Sequence, residues 1–164
     1  MRPVARGPWP VARAALAAAV ILAGCARAPL PRRLGGLTRT RVWSGESAAK
    51  LMEELHGRSV AAASSTVAEY GRGGQLRLYR SRFGDAATAH GTLLRMLSRL
   101  ETGETPFSPP RELRDYPGHW LTVGPGGHHA LWESDESVYW LAGEPGRVQQ
   151  AVEELPAPSS GHWT

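Results

Sequence analysis

This chain of 164 residues has one cysteine, Cys25. One thiol excludes an internal disulfide framework and any metal site built from several thiolates. Acidic residues are missing from the first 45 positions; the first is Glu46. No apolar run reaches the roughly 20 residues of a membrane span; the run from Ala14 to Ala23 stops well short. The signatures G-x-S-x-G, H-E-x-x-H and the P-loop are absent, so no catalytic residues and no cofactor are expected. A basic patch on the folded part, which nucleic-acid binding requires, is missing as well. The formal +4 and pI near 9.8 come from eight arginines before Val42, while the remainder carries 11 basic and 15 acidic residues. No nucleic-acid partner is expected.

What is present begins with Arg2, Arg6 and Arg13, then the apolar run, then Leu22-Ala23-Gly24-Cys25. A basic start followed by a short apolar stretch is the layout of a secretory signal. The four residues ending in Cys25 resemble the lipobox of bacterial lipoproteins. That resemblance implies residues 1–24 as a signal peptide and Cys25 as the lipidated first residue of the mature chain. It implies a membrane partner through the lipid anchor, at the cell membrane or the outer membrane, facing the extracytoplasmic (periplasmic) side. Two or three acyl chains would hold such an anchor, where one is marginal. Cleavage at Ala26-Arg27-Ala28 is the alternative; it places an arginine inside the cleavage motif and leaves Cys25 without a purpose.

Residues 25–41 combine Pro29, Pro31, Gly35, Gly36 and five arginines without an acid. This composition predicts a flexible basic tether, suited to an anionic membrane surface. Residues 42–156 then form one small domain, and 157–164 a flexible tail.

Within the domain, "WSGESAAKLMEELHG" reads as a helix with Ala48, Leu51, Met52 and Leu55 on one face, capped by Ser44 and ended by Gly57. Gly71-Arg72-Gly73-Gly74 marks a hairpin whose second strand alternates Leu76 and Leu78 with Gln75, Arg77 and Arg80, giving one wet face. "GDAATAHGTLLRMLSRLE" is the clearest helix, with an Ala86, Ala89, Leu93, Met96, Leu97 and Leu100 stripe and Asp85 at its start. Residues 101–118 read as a long loop. Three strands follow, "HWLTV", "HHALWE" and "VYWLA", and then a helix carrying Val148, Val152 and Leu155. The order α-β-β-α-β-β-β-α predicts an α+β fold, a small antiparallel sheet with helices on one face, as a ferredoxin-like variant. "RSRFGDAATAHGTLLRML" is similar to strand-then-helix passages of such domains, and to bacterial lipoprotein domains of unknown function.

Two groups of residues stand out as candidate sites. With Pro125-Gly126-Gly127 as a loop, Gly124 faces His128 and Trp120 faces Trp132. With a turn at Asp135-Glu136, Trp132 faces Tyr139. Trp120, Trp132 and Tyr139 then form an aromatic row on one sheet face. Either the row is sealed by the loop or tail, or it is a self-association or protein-partner surface, or it holds an apolar or sugar-like ligand. The second group is His119, His129 and Glu133, which the same pairing brings together as a weak metal candidate beside the plainer reading of cross-strand polar pairs. The expected function is a non-catalytic structural or interaction role for a membrane-anchored lipoprotein, with ligand binding through the aromatic row as the alternative.

Overall fold

The computed structural model describes residues 29–56 and 61–159. Residues 1–24, read above as a signal peptide, Cys25, the expected Gly57 helix end and residues 160–164 lie outside them. The elements are β1 Arg33–Leu34, β2 Leu37–Ser44, α1 Gly45–His56, β3 Ser64–Tyr70, β4 Leu76–Arg82, α2 Ala86–Glu101, β5 Arg111–Leu113, β6 Tyr116–Gly124, β7 Gly127–Ser134, β8 Ser137–Gly143 and α3 Pro145–Glu153. All eight strands join one antiparallel sheet in the order β1-β2-β3-β4-β8-β7-β6-β5. Two meanders meet where β4 pairs with β8, and α2 carries the chain from that centre to the far edge. The α+β class stands, but this sheet is larger than the ferredoxin-like one expected.

The helices do not share one face. Cross-strand registry puts Val67, Tyr79, Trp140, Leu131 and Trp120 in one row and Ala68, Leu78, Leu141, Ala130 and Leu121 in the next. Neighbouring rows face opposite sides. On the first side, Val67, Tyr79, Leu131 and Trp140 pack with Ala48 and Met52 of α1 and Ala89, Leu93, Leu97 and Leu100 of α2. On the other, Ala68, Leu78, Trp132 and Leu141 pack with Val148, Ala151 and Val152 of α3. β4 is central, so its expected wet face is instead lined by the buried Tyr79 and Ser81.

Two stretches read as irregular carry strands. The tether contains the β1–β2 hairpin, closed by Gly35 at φ 56° and Gly36 at φ 73°. Two left-handed residues in succession are what a type I′ turn requires, and glycine adopts them without strain. Leu30 and Leu34 are buried beneath the sheet face that holds α3. Arg39 Nη1 donates to the Leu30 carbonyl at 2.5 Å, Tyr70 donates to the Pro31 carbonyl at 3.1 Å, and Arg147 donates to the Gly35 carbonyl at 2.9 Å. Residues from Leu30 onward therefore pack on the domain, including part of the stretch read as tether. The predicted long loop contains β5, which pairs Arg111 with Leu121 and Glu112 with Trp120. The tail is likewise docked at its start: Ser159 N donates to the Glu133 carbonyl and its Oγ accepts from Asp135 N.

α2 matches its sequence pattern closely. Asp85 sits in extended backbone ahead of it and accepts from Thr88 N at 2.7 Å, a side-chain N-cap. Among the described residues no helix is long and apolar enough to cross a membrane.

Candidate functional site

The aromatic row is split. The turn between β6 and β7 has two residues, so Gly124 faces Gly127 and Trp120 faces Leu131. Pro125 followed by Gly126 at φ 87° is the residue pattern of a type II turn. It lets Gly127 enter the strand at φ 116°, where a Cβ would lie 2.6 Å from the Gly143 carbonyl oxygen. One residue less in the loop moves every β6 side chain to the other face. Trp120 thus joins the α1/α2 side, away from Trp132.

Trp132 and Tyr139 do pair. Their rings stack at 5.0 Å with 8° between planes, and both side chains are buried. The chain after α3 crosses Trp132, whose Nε1 donates to the Pro156 carbonyl at 2.9 Å. His119 tilts against the same indole at 5.0 Å. Trp132 and Tyr139 are thus covered core, packed with α3 and crossed by the chain after it.

The histidine group is also separated. His119 lies on the α3 side and His129 on the α1/α2 side, one consequence of the same register. Glu133 contacts His90 of α2 at 3.2 Å. Among the described residues no three His, Cys, Asp or Glu side chains converge on one point. His129 is instead a structural link: Trp140 Nε1 donates to its Nδ1 at 2.9 Å, and its Nε2 donates to the Pro125 carbonyl at 2.9 Å. That pattern fixes the neutral tautomer with hydrogen on Nε2. Burial pushes the His129 pKa down, as it does for His119.

Concavity appears on the α1/α2 side. A cavity of about 340 Å³ opens between the two helices and the sheet, within the size range of small-molecule sites. Met52 and Leu55 of α1 and Met96 and Leu100 of α2 form its walls, with Tyr79, Val138 and Trp140 from the sheet. Phe107 closes one end, edge-on to Trp140 at 5.4 Å and to His129 at 4.9 Å. Two features seat that phenyl. Ser108 N donates to the Val123 carbonyl at 2.8 Å, and its own carbonyl accepts from Thr122 Oγ1 at 2.6 Å. Gly124 leaves room, since a Cβ there would lie 2.2 Å from the ring.

Among the described residues, two polar groups in the lining have no partner. Ser81 Oγ, on a residue 3% exposed, and Thr105 Oγ1 are both buried without a hydrogen bond. Native proteins leave few such atoms, and an unmade buried hydrogen bond costs on the order of 1–3 kcal/mol. At the opening stand Thr88, Thr92, Arg95 and Arg99 of α2, spaced so that they follow one edge of the helix.

Sequence reasoning read these residues as core and missed the cavity. Met52, Leu55, Met96 and Leu100 were correctly placed on apolar stripes, but periodicity does not say whether two stripes meet or leave a gap. The available signal was Ser81, an inward position in β4 held by a hydroxyl. No protein-family model, curated protein or solved structure matches this chain.

Proposed function

We propose that this chain is a membrane-anchored extracytoplasmic lipoprotein whose folded domain is a non-catalytic binding module for a small, largely apolar ligand. The observation that carries the binding role is the cavity between α1, α2 and the sheet, aromatic and aliphatic in its walls, with the unpartnered Ser81 hydroxyl inside. Sites for small molecules are mostly apolar with a few placed polar groups. The non-catalytic reading is supported by the two orphan hydroxyls: among the described residues neither has a hydrogen-bond partner that could serve as its base, which an activated nucleophile needs. The anchor rests on the resemblance of Leu22-Ala23-Gly24-Cys25 to a lipobox.

Binding is tested with the full chain in phosphatidylcholine vesicles by titrating 8-bromooctanol and following bromine quenching of tryptophan fluorescence. Trp140→Phe supplies the background, because Trp140 lines the cavity. Saturable quenching is expected, weakened about tenfold or more by Leu55→Phe or Met96→Phe, which fill the space. Leu94→Phe, on an exposed position of α2, should leave it unchanged. Non-saturable quenching equal in all variants would remove the binding reading. For the anchor, Cys25→Ser is expected to abolish labelling by a radioactive fatty acid in cells; undiminished labelling would remove that half.

A further inference from the structure

We infer that the cavity takes an anionic amphiphile, a single apolar body with a carboxylate or phosphate head held at the opening by Arg95 and Arg99. This rests on the ligand-binding reading above and adds the head group. The apolar walls and the orphan Ser81 hydroxyl mark the interior as a place for a ligand. The opening has a different character. Arg95 and Arg99 are one helical turn apart on α2, both solvent-exposed and both lining the cavity. Exposed residues that line a cavity stand at its mouth.

Their charge runs against the domain. From Val42 onward acidic residues outnumber basic ones by 15 to 11, yet among the described residues neither Arg95 nor Arg99 forms an ion pair. Ion pairs seen there include Lys50–Glu46, Arg77–Glu69, Arg82–Glu136 and His90–Glu133. Arg95 Nη2 donates to Thr92 Oγ1 at 2.9 Å, and Thr92 Oγ1 in turn donates to the Thr88 carbonyl at 2.8 Å. This chain of donors lays the Arg95 guanidinium along the rim and leaves its other N–H groups for a ligand. A pair of guanidinium forks beside an apolar slot matches a planar or tetrahedral anion on a hydrocarbon. A neutral apolar ligand would leave the pair with no role, and a cationic one would be repelled.

The test compares 8-bromooctanoate, 8-bromooctanol and 8-bromooctylamine by quenching of Trp140 in the full chain, in phosphatidylcholine vesicles, with Trp140→Phe as background. The carboxylate is expected to bind about tenfold more tightly than the alcohol. That preference should shrink as salt rises from 50 to 500 mM, because the arginines are exposed. The Arg95→Gln/Arg99→Gln double variant should lose the preference while still binding the alcohol; both positions are on the surface, so the fold is retained. Equal binding of carboxylate and alcohol, a preference for the amine, or a carboxylate preference that survives the double variant would overturn the inference. In each case saturable binding of the alcohol would leave the proposed function standing. No saturable quenching by any of the three would overturn both.

Discussion

Trp132→Ala is expected to lower the unfolding free energy by about 3–5 kcal/mol, the range for deleting a fully buried large aromatic. Trp132 is 0% exposed and among the largest fully buried side chains in the domain. Its ring covers Tyr139 in a stacked pair and supports His119, and its Nε1 ties down the Pro156 carbonyl. The substitution therefore removes packing on one side of the sheet and frees the chain after α3. Trp120→Ala, at a half-buried position near the β5 edge, should cost markedly less. The two substitutions should also be additive to within about 0.5 kcal/mol, because the side chains lie on opposite faces of the sheet. Trp132→Ala and Tyr139→Ala should couple instead. Urea unfolding of the single and double variants reads all of this. Strong coupling between positions 120 and 132 would show that β6 pairs in the three-residue-loop register and that the register described here is wrong.

That register marks the limit of what the residues disclosed. The α2 helix was legible to its cap, because Asp85, the apolar stripe and Arg99 all point the same way. The β7–β8 turn was legible too: Asp135 tolerates its φ of 51°, and Trp132 faces Tyr139 as the pattern requires. The β6–β7 turn was not. Pro125-Gly126-Gly127 is compatible with a two- or a three-residue loop, and only the clearance of Gly127 against Gly143 selects between them. The tether failed for a related reason. Its Pro and Arg content outweighed the Gly35-Gly36 hairpin signal between two leucines, although Leu30 and Leu34 needed burial. The cavity depends on how far α1 stands from α2, which no single segment encodes.

Lowering the pH from 8 to 5 is expected to destabilise the fold, with His129 and His119 as the cause. The ordinary histidine pKa of about 6.5 describes both in the unfolded chain, and burial holds both lower in the fold. For His129 the neighbouring His128 adds to the depression, while the Pro125 carbonyl opposes it. For His119 the Tyr116 and Pro117 carbonyls favour the charged form, but neither accepts a hydrogen bond from the ring. A depressed folded pKa means that the unfolded chain binds the proton first. The stabilisation is thus fully present above about 6.5 and is lost as pH falls below it, until the folded pKa is passed. Each ring can contribute a slope of at most about 1.4 kcal/mol per pH unit in that window. Protonating His129 also sets a second N–H against the Trp140 Nε1–H that its Nδ1 now accepts, so the link between β7 and β8 breaks. Other shifted groups titrate elsewhere: Asp85 is held below the usual carboxylate range by the Thr88 backbone N–H, and Tyr70 is pushed up to about 12 by burial. Two variants separate the rings. His129→Phe should weaken the fold at pH 8, through the lost Trp140 hydrogen bond, and flatten the slope between pH 8 and 5. His119→Phe should flatten the slope with little loss at pH 8, because the ring makes no hydrogen bond that phenylalanine would forfeit. Urea midpoints at half-unit pH steps measure both effects. A slope unchanged in both variants would assign the acid sensitivity to other groups.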